Sequence, residues 1–313
     1  MNRRWSLWFW LGMAIGLLGL IAGGCAGSAG TTVPTRTPTS RPTASPTATH
    51  TPSPTPLPVA VVVNGEPILQ AEWQAETERV RAAAEALGQS LSLEDAQEQA
   101  LRALVEETLL AQAAREQGLA ASDEEVQQRL DALRATFADD DAWAAYLDEL
   151  GYTEAELRRA LARAMSAARM RDALAAQVPE RAEQVRARQI FVRTQADAAT
   201  VLQYLQQGVE FRTLAAQYHP TSRGDLGWFP RGVLFVPAVE EAAFQLEVGT
   251  YSQPIQVPGG YVILFVEDRE PDRPLAPWAR RELQRRAIAD FLRQRWQQAE
   301  LQWGPGVPPL SPP

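Results

Sequence analysis

Residues 223–232 read RGDLGWFPRG: three glycines, an acid, an aromatic pair and a proline in ten positions. Glycine admits left-handed backbone and proline fixes one dihedral, so the stretch predicts a tight, rigid turn that presents apolar side chains. Outward from it the periodicity sets the fold. Upstream, RARQIFVR (186–193) predicts a strand, DAATVLQYLQQG a helix stopped by Gly208, and FRTLAAQY a helix with Phe211, Leu214, Ala215 and Tyr218 on one side. Downstream, PAVEEAAFQLEVG predicts a third helix and GGYVILFVEDRE a last strand. Helices between a strand and its returning partners predict a small α+β domain over residues 181–270, an antiparallel sheet flanked by helices.

Before it, residues 59–180 predict a helical domain. VAVVVNGEPILQAEW (59–73) reads as a buried strand that turns at Asn64-Gly65 and runs into a helix. Ser92 with Asp95, Ser122 with Glu125 and Thr153 with Glu156 have the spacing of helix N-caps, where a side chain satisfies amides that the first turn leaves unpaired. Leu101, Leu104, Val105 and Leu109 form one apolar stripe, and Val126, Leu130, Leu133 and Phe137 another; both are expected to be core. After the small domain, residues 277–303 predict an arginine-rich helix opened by Pro277, with Leu283, Ala287, Ile288, Phe291 and Leu301 as its apolar stripe. Its region, 271–313, is expected to pack against the first domain, the other reading being a helix on a membrane surface.

The N-terminus reads as an address. Arg3 and Arg4 precede an apolar run from Trp5 to Ala22, and small residues follow up to Cys25, the sole cysteine. LIAGGC is similar to a bacterial lipobox, which makes 1–25 a lipoprotein signal peptide and Cys25 the lipid attachment site; a retained transmembrane helix is the alternative. Residues 26–58 are rich in Thr, Pro and Ser and predict an extended, disordered linker, long enough to span roughly 100 Å and containing His50.

Composition removes several functions. The formal charge is −8 over 313 residues, which opposes nucleic-acid binding. No lysine is present, so Schiff-base and P-loop chemistry are excluded, and one cysteine with two histidines at no zinc spacing makes a metal site unexpected. No cofactor is expected.

Two resemblances give the rest. VNGEPI, LLAQAAREQGL and SDEEV, in that order, resemble the N-terminal chaperone domain of the SurA and PrsA class of secretion foldases. GDLGWF, then RG, then VPAVEEAAFQLEVGTYSQPIQVPGGYVILFVEDR resembles the parvulin (PpiC, or rotamase) family of peptidyl-prolyl cis-trans isomerases over residues 186–270. That class completes its chaperone module with a helix from after the isomerase-like insert. Parvulins grip proline in an apolar pocket beside a polar ring that includes two histidines, with an Asp or Cys nearby.

Transferred position by position, the resemblance implies a substrate pocket of Leu226 and Phe229, Leu234 or Phe235, and Val239, with Phe244 more a core residue than a pocket one. It implies catalytic positions at Gln189, at Thr221 or Ser222, and at Asp225, the last also readable as a turn residue that bonds nearby amides. Both family histidines are replaced, by Gln189 and Val262, and His219 reads as a surface residue before a proline. The expected function is an exported, lipid-tethered foldase facing the periplasm or cell surface. Its partners would be unfolded or exported polypeptides with X-Pro bonds and, through the lipid, the membrane. Its catalysis would be weakened, because a polar network acts as a unit. The alternatives are a non-enzymatic chaperone that only binds prolyl segments and an envelope assembly scaffold.

Overall fold

Asn64 and Gly65 take φ of 50° and 85°, the left-handed pair that a two-residue hairpin turn needs. They join β1 (Val59–Val63) to β2 (Glu66–Leu69), so a second strand intervenes where the sequence predicted a direct run into helix. This computed structural model describes residues 57–312. The apolar N-terminal run, Cys25, His50 and all but the end of the Thr/Pro/Ser-rich stretch lie outside the described residues. Among the described residues no helix is long and apolar enough to cross a membrane.

Helices α1 (Gln70–Ala86), α2 (Leu93–Glu116), α3 (Asp123–Arg134), α4 (Asp140–Leu150) and α5 (Glu154–Ala176) follow. Ser92, Ser122 and Thr153 cap α2, α3 and α5, and in the last two the Glu125 and Glu156 carboxylates accept in return from the cap residue's amide. The α3 stripe is shorter than its period suggests. The helix stops at Arg134, yet Phe137 still packs with Leu130, Trp143 and Leu157 from the turn beyond. In the main core Leu101, Val105 and Leu109 of α2 meet Ala167 and Met170 of α5. Between these helices Arg163 pairs with Glu72 at 2.8 Å and with Glu107 at 2.9 Å, a largely buried ion cluster.

The small domain begins with β3 (Arg181–Val192), α6 (Gln195–Gln206) and α7 (Phe211–Tyr218). It continues with β4 (Asp225–Pro230), α8 (Pro237–Gln245), β5 (Ile255–Val257) and β6 (Gly260–Pro274). Its sheet runs β4-β3-β6-β5 with every pairing antiparallel. RGDLGWFPRG is thus only half a turn: from Asp225 it becomes edge strand β4, where Pro230 is tolerated because its missing N–H faces no partner strand. Alternation along β3 and β6 sends Ile190, Val192 and Ile263 toward α6 and α7, and Val185, Ala187, Val262, Leu264 and Val266 toward α8.

The chain then returns. Helix α9 (Pro277–Gln298) buries Leu292 and Trp296 in the first core, and β7 (Leu301–Trp303) pairs with β1 to give a three-stranded sheet β2-β1-β7. Leu301 therefore belongs to a strand rather than to the predicted helix stripe. The molecule is α+β throughout, a helical unit built from both ends of the described chain with an isomerase-like domain set between α5 and α9.

Candidate functional site

The α8-facing side of the small sheet opens into a cavity of about 300 Å³. Gln189 and Phe191, two residues apart on β3, share its floor with Val262, which stands opposite Phe191 on β6. Leu226 of β4, Val239 of α8 and Val257 of β5 wall it, and residues 234–236 of the β4–α8 loop complete the rim. Gln189 and Val262, the positions that the sequence resemblance assigns to two histidines, thus line one pocket. Gln189 is the single polar side chain in its lining, and its carboxamide makes no hydrogen bond among the described residues.

Two glycines let the backbone close up around this floor. A Cβ on Gly224 would lie 2.1 Å from the Gln189 carbonyl oxygen, and one on Gly260 would lie 2.2 Å from that of Val192. The Gln189 amide donates to the Gly224 carbonyl at 2.8 Å, which anchors the turn against β3.

The other expected residues divide. Leu234 and Phe235, alternatives in the sequence, both line the pocket: Leu234 is half-buried, whereas Phe235 is 96% exposed and forms an apolar lip. Phe229 does not line it. Its partner on β3 is Val185, and it is buried in the core with its ring edge-on to Phe244 at 6.1 Å. Thr221 is exposed in the turn, and the Ser222 hydroxyl accepts from the Gly224 amide, so neither reaches the cavity lining. Asp225 accepts from the Gly227 amide at 2.9 Å and pairs with Arg188 at 3.3 Å, in keeping with a turn residue. His219 differs from its surface reading: its Nε2 accepts from the Phe191 amide at 2.9 Å, satisfying a strand N–H beyond the end of β4.

Phe191, Val236 and Val257 were not singled out in the sequence. Period-two alternation from Gln189 reaches Phe191, but Val257 requires knowing that β5 pairs with the start of β6. On the opposite face of the sheet, buried Glu267 is held by Arg186, Arg188 and Arg212, a structural ion cluster away from the cavity. Among the described residues no group of His, Cys, Asp and Glu could hold a metal ion.

Known proteins give the same outline. Residues 44–171 match the family model of the SurA-like N-terminal domain, and residues 172–279 match that of the PPIC-type PPIase domain. The foldase protein PrsA of Caldanaerobacter subterraneus is 30% identical over 239 residues, covering 67% of this chain and 73% of that protein. The chain belongs to the PrsA foldase family. A second PrsA, from a Geobacillus species, is 39% identical over 95 residues, a match spanning 29% of this foldase and 34% of that one. A crystal structure described as peptidylprolyl isomerase (PrsA) from Bacillus cereus has 22% identity and a TM-score of 0.41, covering 76% of this chain and 85% of that one.

Proposed function

We propose that this foldase assists the folding of exported polypeptides outside the cytoplasm by taking X-Pro segments into the cavity beside Gln189. The helical unit serves as the chaperone that holds the rest of the client. The observation that carries the reading is the pocket itself: an apolar cavity large enough for a prolyl ring, with one unspent carboxamide. The reaction needs little more. A planar prolyl amide owes its barrier to resonance that separates charge, and the twisted transition state has lost that resonance. An apolar enclosure therefore favours the twisted state over the planar one, which is differential binding. In this reading Leu226, Leu234 and Val239 grip the ring, Phe235 covers it, and Gln189 donates to the amide as it twists.

Val262 and Gln189 provide less polar positioning than two imidazoles, so the expected turnover is modest. The test is a proline-peptide isomerisation assay on the full chain, beside Gln189→Ala and Gln189→His/Val262→His. Activity that falls in the first variant and rises in the second supports an enzyme. A second reading, a holdase that binds prolyl segments without turning them over, is favoured by the scarcity of polar groups in the cavity. It predicts suppression of client aggregation with no rate gain in the same assay.

The anchor belongs to the proposal too. Cys25 is the acceptor for a lipid that fixes the chain to an extracytoplasmic membrane face, supported by the lipobox-like LIAGGC. Incorporation of labelled fatty acid that disappears in Cys25→Ser is the expected result, and labelling retained in that variant would exclude it.

A further inference from the structure

The wall of the cavity is not held by the small domain alone. Residues 231–236 carry Leu234 and Phe235 between β4 and α8, and the Glu240 carboxylate gathers this loop from inside the domain. It accepts from the amides of Gly232 at 2.8 Å, Val233 at 3.1 Å and Leu234 at 3.0 Å. The Leu234 carbonyl, in the same wall, accepts from Arg286 at 3.2 Å. Arg286 belongs to α9, outside the small domain's sheet. It is steadied by Glu282 on the same helix, whose carboxyl is held below its ordinary range by hydrogen bonds from Arg285 and Arg286. On the same side Ala279 is buried in the small domain's core, and Leu283 packs so closely that a Cβ on Gly232 would meet its methyl at 3.0 Å.

The far half of α9 is fixed elsewhere. Leu292 and Trp296 are buried in the helical unit's core and Arg295 pairs with Glu116 of α2, while in the first half of the helix the Gln284 amide already donates to the Ala175 carbonyl of α5. One helix thus has its first turns against the cavity wall and its last turns in the chaperone core. We propose that α9 is a strut through which the helical unit sets the position of the prolyl pocket's wall, with Arg286 and Glu240 as positioning residues. This rests on the reading of the cavity as the prolyl site. A small displacement of such a wall costs a large fraction of binding, because the apolar contacts are short-ranged.

The test uses the full chain and a tetrapeptide with one Leu-Pro bond, followed by NMR titration together with thermal melting. Arg286→Met is expected to weaken the peptide roughly three- to ten-fold, the worth of one ordinary hydrogen bond, since the Arg286 side chain is partly exposed. Arg286→Lys, which keeps a donor, should recover most of that loss, and both variants should keep the melting temperature of the unaltered chain. Glu240→Gln, with fewer acceptor sites for three amides, should weaken the peptide at least as much. If the unaltered chain does not bind the peptide, the reading of the cavity is wrong and the strut falls with it. If it binds and Arg286→Met binds equally well, or Arg286→Lys gives no recovery, the strut alone is overturned.

Discussion

At the scale of single residues, the site is decided by what faces the cavity and by what lets the backbone come close. Gly224 does the second: at φ +67° with the Gln189 carbonyl 2.1 Å from any added Cβ, it admits no other residue without moving β3. Gly224→Ala is expected to cost about 2–4 kcal/mol, read by urea unfolding, because strain and a backbone clash act together. His219→Ala should cost about 1–2 kcal/mol by leaving the Phe191 amide unpartnered, whereas His219→Gln, able to accept, should lose less. Gln189 and Val262 were legible only through the resemblance to the parvulin pattern, which assigns its two histidines to these positions. Phe229 was not, since its side chain is assigned by pairing with Val185 inside the core, and no local pattern reveals that partner.

At the scale of elements, caps and stripes were readable and long-range pairings were not. Ser122 with Glu125 and Thr153 with Glu156 announce α3 and α5 because the cap and its reply lie three residues apart. β7 has three residues, no period of its own, and a partner in β1 at the other end of the described chain. α9 followed from its period, but its stripe serves two cores, with Leu283 in one and Ile288, Phe291 and Leu292 in the other. Removing residues 277–313 would expose the β1 edge and empty the places of Leu292 and Trp296. The truncated chain is expected to lose the cooperative melt of the helical unit, checked by hydrogen exchange at α2 and α5. Protection there equal to that of the full chain would show that α9 is dispensable to it.

At the scale of the whole molecule, stability should depend on pH through the carboxylates around Arg163. Burial raises Glu76 above its ordinary value, Arg79 and Arg163 pull it back, and Glu107 raises it further. The native state therefore keeps this proton to higher pH than the unfolded chain does. Its contribution is greatest below the unfolded value and is lost as pH rises through the native one. Glu76→Gln should lessen the fall in melting temperature as pH rises above the carboxyl's ordinary value of about 4.5, and raise it at the upper end. A variant that keeps the slope of the unaltered chain would assign it to other groups. The ion cluster of Arg163 with Glu72 and Glu107 is expected to be costly to break: Arg163→Met should lose about 3–5 kcal/mol by chemical unfolding, because it strands two carboxylates.

The central claim is that the cavity beside Gln189 takes proline. It is tested most directly by titrating the isotope-labelled full chain with the Leu-Pro tetrapeptide and following each backbone amide. The account predicts saturable shifts at Gln189, Phe191, Leu234 and Val262, absent when Leu234→Asp/Val239→Asp closes the pocket to apolar groups. Shifts confined to the opposite face around Arg212 and Arg223, or none at millimolar peptide, would contradict it.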